Sequence, residues 1–290
     1  MSICGSGKIC IVTGATSGIG EATAHGLAQQ GATLIIVGRN PQKGSVTVDK
    51  IKSKTGNSSV KFMHADLSSQ KDIHRLAEQF KSNYQRLDVL VNNAGGKFLL
   101  RQETVDGYEM TFALNHLAYF LLTNLLIDPL KASGKARIIN VSSGAHSGCS
   151  KINFDDLQFK KGYIGKKAYE HSKLANILFT YELARRLQGT GITVNAVHPG
   201  GVITNFCKNN GWVSWAKHVT AHLIARNLVG PTEGAKTSVY LATSSDVEGV
   251  SGKYFSNLKA IRSSHASYDE DAARRLWDVS LELTGLPRTF

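Results

Sequence analysis

Tyr169 and Lys173 stand four positions apart in a segment whose leucines and alanines recur at helical spacing, so a phenol and an ammonium project from one helix face. A cation beside a phenol, once shielded from water, favours the phenolate and brings the tyrosine toward the working range of an acid or base. The pair alone does not make a site, because a tyrosine at this spacing also serves as a packing residue with a wet hydroxyl. The elements that would hold it must be read from the rest of the chain.

The spacing predicts a buried first strand over Lys8 to Thr13 that breaks into Gly14-Ala15-Thr16-Ser17-Gly18-Ile19-Gly20, then a helix over Glu21 to Gln30 stopped by Gly31. Ala32 to Val37 reads as a second strand, ended by Gly38-Arg39-Asn40-Pro41. Strands follow at Val60 to His64, Leu87 to Val91, Ala136 to Val141 and Thr193 to His198, with helices at Lys71 to Tyr84, Tyr108 to Leu126 and Lys167 to Leu187. This rhythm predicts an α/β fold, a Rossmann-type doubly wound, mostly parallel sheet with helices on both faces. Ligands in such sheets collect beyond the carboxyl ends of the strands, where the unusual residues fall.

Five groups of residues stand out. Gly14, Gly18 and Gly20 are spaced G-x-x-x-G-x-G between a strand and a helix, so backbone N–H groups and the helix terminus can face a pyrophosphate; the bare pattern is also that of a tight turn. After the second strand, Gly38-Arg39-Asn40 offers no carboxylate for a free ribose 2′-OH and one guanidinium for a 2′-phosphate, which points to NADP rather than NAD. Asp66, followed by Leu67 and Ser68, is placed either to accept from an adenine amino group or to cap a turn. Asn92-Asn93-Ala94-Gly95-Gly96 would let the backbone pass close to a ribose, or form an ordinary turn. Asn115 interrupts an apolar helix, where it would hold a water, distort the helix or be a satisfied core amide.

Composition narrows the classes. The 290 residues carry no Pro- or Ser-rich linker, and twenty-eight glycines against five prolines suit tight turns in one ordered fold. The formal charge of +12 would attract nucleic acid or anionic membranes, but the lysines and arginines are spread without a dense tract, so a solvated basic surface serving an anionic cofactor is expected, and no nucleic-acid partner. Cys4, Cys10, Cys149 and Cys207 show no CxxC spacing, so reduced thiols in a cytoplasmic or other reducing compartment are expected, and no metal. No run of about eighteen apolar residues predicts a spanning helix. Trp212 to Leu228 mixes two tryptophans with Lys217, His218, His222 and Arg226, which suits peripheral membrane contact as well as a helix that lids a pocket or packs internally.

Taken together, Thr13-Gly14-x-x-x-Gly18-x-Gly20, Asn92-Asn93-Ala94-Gly95, Asn115, Ser143, Tyr169-x-x-x-Lys173 and Pro199-Gly200-x-x-x-Thr204 resemble, in order and over nearly the whole chain, the short-chain dehydrogenase/reductase family. Ser172 to Thr180, Ala196 to Gly200, Gly234-Ala235-Lys236-Thr237-Ser238 and Ser251 to Phe255 are similar to its retinol dehydrogenase-like branch. The resemblance implies Asn115, Ser143, Tyr169 and Lys173 as catalytic residues. It implies a cofactor site of Gly14, Ser17, Gly18, Ile19, Gly20, Arg39, Asn40, Asp66, Leu67, Asn93, Ala94, Gly95, Tyr169, Lys173, Pro199, Gly200, Val202 and Thr204, with Thr204 on the nicotinamide carboxamide.

The chemistry it implies is NADP(H)-dependent hydride transfer between an apolar aldehyde or ketone and its alcohol, retinal and retinol among them. Reduction of a ring carbon–carbon double bond, as in protochlorophyllide reductases, and a cofactor-sensing scaffold are the alternatives. The 26 positions from Ser143 to Tyr169 exceed the family's usual interval and are expected to border the substrate entrance. The chain reads as one catalytic domain over 1–290, with 200–230 as a lid and 259–290 as a C-terminal extension. Phe206, Trp212, Val213, Trp215, Leu223 and Leu228 give that lid an apolar lining for a bulky substrate. The first strand begins almost at the N-terminus, so the membrane anchor of some relatives is not expected; monomer and homo-oligomer both remain open.

Overall fold

A computed structural model of the chain describes residues 7–202 and 228–288. Thr204, Cys4, Cys207 and nearly all of the expected lid or membrane-touching stretch lie outside the described residues. Eight strands form one sheet: β1 Ile9–Thr13, β2 Thr33–Gly38, β3 Val60–His64, β4 Val89–Asn92, β5 Arg137–Val141, β6 Thr193–His198, β9 Lys253–Ser256 and β10 Lys259–Ile261. Their order is β10-β9-β6-β5-β4-β1-β2-β3, parallel throughout except for the β9–β10 hairpin. A short pair, β7 Gly201–Val202 and β8 Leu228–Val229, stands apart.

The central strands read as largely apolar runs because both faces are covered. Ile11, Ile35, Leu90, Ile138 and Val194 point into one core layer. Their neighbours Cys10, Val12, Leu34, Ile36, Val91 and Ile139 point into the other. Helices α1 Gly18–Gln29, α2 Pro41–Thr55 and α8 Pro231–Thr243 cover the second layer; α3 Gln70–Asn83, α5 Ala118–Leu125, α7 Gly165–Arg186 and α9 Glu270–Thr284 cover the first. The α1–α8 contact is close enough that a Cβ on Gly26 would stand 2.7 Å from Val239 Cγ2. Because β1 pairs with both β2 and β4, the chain reverses its winding direction beside β1, which opens a crevice at the carboxyl ends of β1 and β4.

Most expected elements form within a residue or two of their predicted bounds, and three differences have clear causes. Pro41, read as a strand terminator, instead begins α2: Asn40 Oδ1 accepts from Lys43 N at 2.8 Å, and proline suits a first helical position. The helix predicted from Tyr108 starts at Met110, because the buried Glu109 carboxylate accepts from Thr111 N and Phe112 N, at 2.8 and 2.7 Å. That helix is also broken: α4 Met110–Phe112 leads into a π-helical turn, Ala113–Leu117, before α5 resumes, and a shorter helix α6 Ile127–Ala132 follows. The C-terminal extension expected over 259–290 contains a helix, α9. Asp269 caps it, Ala273, Leu276, Trp277, Ser280 and Leu281 form its buried stripe, and Trp277 packs edge-on against Phe120 at 4.9 Å between ring centres.

Candidate active site

The loop between β1 and α1 carries Gly14 and Gly18 at φ of +64° and +59°, conformations that favour glycine. A Cβ on Gly14 would stand 2.8 Å from Ala94 Cα, and one on Gly20 would overlap Gly14 O and Asn93 Nδ2. The loop is tied to the end of β4. Asn93 Nδ2 donates to Thr13 O at 2.8 Å, and Thr13 Oγ1 accepts from Asn93 N and Ala94 N at 2.8 and 3.0 Å. Ser17 holds the N-cap position of α1 but its side chain caps nothing, so the first-turn N–H groups around Ile19 are left for another acceptor.

At the end of β2, Arg39 and Asn40 are exposed, with the asparagine side chain engaged as the α2 cap. Asp66 Oδ1 closes a turn, accepting from Ser68 N and Oγ at 2.9 and 2.7 Å, and Leu67 beside it is buried. Gly200, at φ +84°, follows β6, and Val202 is buried where a Cβ on Gly234 of α8 would meet it and Pro199 O.

The remaining residues meet beyond β4 and β5. Lys173 is 3% exposed, and its Nζ donates to Val141 O at 2.9 Å while standing 5.7 Å from the centre of the Tyr169 ring. Burial lowers the Lys173 ammonium from 10.5 to about 7. Asn115 sits in the π-turn and satisfies its amide completely: Oδ1 accepts from Gly96 N at 2.8 Å, while Nδ2 donates to Gly96 O and Ser172 Oγ, both at 2.9 Å. It thus both distorts the helix, as π-turns at functional positions do, and acts as a paired core amide. A Cβ on Gly95 would lie 3.0 Å from Asn115 Oδ1 and 3.8 Å from Lys173 Nζ, so glycine lets the three approach.

The two serines after β5 are not equivalent. Ser142 is buried and donates to Lys173 O at 2.8 Å, whereas half-buried Ser143 accepts from Ala145 N at 3.1 Å and opens a 3-10 turn, Gly144–Gly148. Half-buried Tyr169 presents its backbone carbonyl to Ser172 Oγ at 2.8 Å.

Sequence reasoning missed Tyr119, whose buried ring stands 5.9 Å from Lys173 Nζ and whose hydroxyl burial pushes well above its ordinary value. Its signal was the position four residues after Asn115, on the same helix face. It gave no individual role to Thr13, Ser172, His146 and His198, each of which also has a partner from a distant part of the chain.

The short chain dehydrogenase family model matches residues 8–212. Retinol dehydrogenase 12 of Mus musculus is 44% identical over 280 residues, which cover 97% of this chain and 87% of that protein. Polyprenol dehydrogenase of Homo sapiens is 42% identical over 286 residues, covering 96% and 86%. Among solved structures, the RhlG/NADP active-site complex of Pseudomonas aeruginosa aligns with a TM-score of 0.70 at 27% identity, over 86% of this chain and 94% of that one. An uncharacterized protein from Mycobacterium paratuberculosis aligns with a TM-score of 0.79 at 29% identity, over 98% and 96%.

Proposed function

The chain belongs to the short-chain dehydrogenase family, and we propose that it works as an NADP(H)-dependent oxidoreductase interconverting an apolar aldehyde or ketone and its alcohol. The observation that carries this reading is the meeting of Lys173 Nζ, the Tyr169 ring and the Ser143 turn beyond β5, next to a glycine loop with free helix N–H groups. Retinol dehydrogenase 12 and polyprenol dehydrogenase are named for apolar alcohols, which supports the substrate class. Retinal and retinol are the specific pair we put forward.

The residues present fit the dinucleotide. A side chain at Gly14 or Gly20 would fill the cradle, the first turn of α1 lacks a side-chain cap, and Arg39 is exposed at the β2 end without a neighbouring carboxylate at positions 38–40. In this reading Gly14 to Gly20 hold the pyrophosphate, Arg39 binds the 2′-phosphate, and Gly95, Lys173 and Gly200 face the riboses and nicotinamide. The bound nicotinamide supplies or accepts the hydride.

The chain's own residues handle the proton and the oxygen. In reduction Ser143 Oγ donates a hydrogen bond to the carbonyl oxygen while Tyr169 Oη gives its proton to the developing alkoxide; in oxidation Tyr169 takes that proton back. Lys173, while protonated, favours the phenolate and returns it to acid form through the polar groups around Asn115. In this reading the interval between Ser143 and Tyr169 borders the substrate.

A panel of all-trans-retinal, medium-chain aldehydes, aromatic ketones and polar carbonyls at fixed NADPH tests the reading. We expect turnover of apolar members, and a fall of about a hundredfold or more in Tyr169→Phe with cofactor affinity largely kept. Turnover of polar carbonyls only, or near-normal turnover by Tyr169→Phe, would overturn it.

A further inference from the structure

His146 and His198 come from different parts of the chain and meet at one peptide bond. His146 lies in the Gly144–Gly148 turn, is 2% exposed, and its Nδ1 stands 2.7 Å from Ser143 O. His198 ends β6, and its Nδ1 accepts from Gly144 N at 3.1 Å. The carbonyl and the N–H of the Ser143–Gly144 peptide are therefore each held by an imidazole. We propose that these two histidines are positioning residues that clamp the Ser143–Gly144 peptide as neutral imidazoles of opposite tautomer and so aim Ser143 Oγ at the substrate oxygen. The proposal rests on the role given above to Ser143.

The tautomers follow from the partners. Ser264 N donates to His146 Nε2 at 2.9 Å, so that nitrogen carries the lone pair and Nδ1 carries the hydrogen given to Ser143 O. His198 must present its lone pair on Nδ1 to accept from Gly144 N, which leaves its hydrogen on Nε2. An imidazolium has no lone pair, so protonating either ring breaks one accepting bond and leaves a backbone N–H facing an N–H. With the peptide fixed, Ser143 keeps its extended backbone, φ −163° and ψ 155°, and its Oγ accepts from Ala145 N, which leaves the O–H hydrogen to be donated.

Burial lowers the proton affinity of both rings, and for His198 the neighbouring His146 lowers it further. Among the described residues the other ionisable groups around the turn are few. Tyr254 of β9 meets the His146 ring edge-on at 5.0 Å, Cys149 follows the turn, and Glu170 of α7 packs against Gly148 with Lys166 Nζ 3.6 Å from its carboxylate. His146 also links the Ser143 turn to the segment leading into α9, a role for the C-terminal extension that no motif announces.

Long-range proton–nitrogen NMR of the full chain reads the tautomers without any turnover, and should find Nδ1–H at His146 and Nε2–H at His198. Steady-state kinetics with NADPH read the consequence. We expect His146→Ala to lower kcat by about tenfold or more, the scale seen when a supporting hydrogen-bond partner is removed, with cofactor Kd unchanged. His146→Asn, whose Nδ2 can stand where Nδ1 was, should recover most of that loss. Ser264→Pro removes that N–H at a φ of −65° that proline accepts, with Ser264→Ala as the control for the lost hydroxyl, and should lower kcat less than His146→Ala. Replacing both rings, His146→Asn with His198→Asn, should remove the acid limb of the kcat profile that titrates the imidazoles.

An Nε2–H tautomer at His146 would overturn the clamp, as would equal kcat for His146→Ala and His146→Asn at every pH in folded, NADPH-binding protein. Absence of all carbonyl turnover in the wild type would instead count against the proposed function, and the NMR result would still decide the clamp.

Discussion

Replacing Lys173 with methionine should make the cofactor-free protein more stable, and by an amount that depends on pH. The folded chain holds the Lys173 ammonium near 7 against an ordinary 10.5, a gap worth about 5 kcal/mol of penalty when the group is charged in both states. The sign follows from proton counts. Between about pH 7 and 10.5 the unfolded chain carries a proton on this lysine that the folded chain has released, so wild-type stability gains from this group as pH rises. Methionine has no such term. The advantage of Lys173→Met over wild type should therefore be about 5 kcal/mol at pH 6 and about 2 kcal/mol at pH 9, before subtracting the lost bond to Val141 O. That bond and the packing change are common to both pH values, so the difference between them, about 3 kcal/mol, isolates the charge. Urea titrations of both proteins at pH 6 and pH 9 without cofactor measure it. Parallel stability differences at the two pH values would refute the claim that Lys173 is held largely neutral above pH 7. Adding NADPH should then stabilise the wild type more than the variant, because a ligand that contacts Lys173 binds only the protein that has it.

Two further outcomes test the cofactor assignment. Arg39→Ala should weaken NADPH binding about ten- to a hundredfold while leaving NADH nearly unchanged, since a charge-assisted contact is lost only with the 2′-phosphate; equal losses in parallel titrations would remove Arg39 from that role. Gly20→Ala would drive a methyl into Gly14 O and Asn93 Nδ2, so a stability loss of about 1–3 kcal/mol and a sharp loss of cofactor affinity are expected, and an unchanged Tm with intact NADPH binding would show that the loop has slack.

The parallel sheet was legible because its central strands are buried on both faces and appear as largely apolar runs, each closed by glycine or by a polar residue. What escaped was local chemistry that overrides period. Pro41 looks like a stop until Asn40 is recognised as a cap, and then the same residue is a start. Glu109 gives no sign in the sequence that both its oxygens will be spent on the N–H groups of Thr111 and Phe112. The stripe of α9, Ala273, Leu276, Trp277, Ser280 and Leu281, was readable at helical spacing, yet only the structure reveals that Trp277 completes the layer begun by Phe120 and Phe179.

For the site, spacing conveys neighbourhood and not protonation. Tyr169 and Lys173 were readable as a pair because four residues make one turn, and the structure keeps the lysine nitrogen within 5.7 Å of the ring centre. Whether that nitrogen carries a charge depends on Tyr119, Val141 O and Gly95, which arrive from three other elements and exclude water around it. The opening pattern treats Lys173 as a fixed cation, while burial makes it a group that gains and loses its proton near neutrality. A lysine poised in this way suits a site that must pass a proton in either direction. Its charge is therefore set by what is bound beside it, and an anionic dinucleotide would draw the proton back to Nζ at the moment when the phenolate of Tyr169 needs its support.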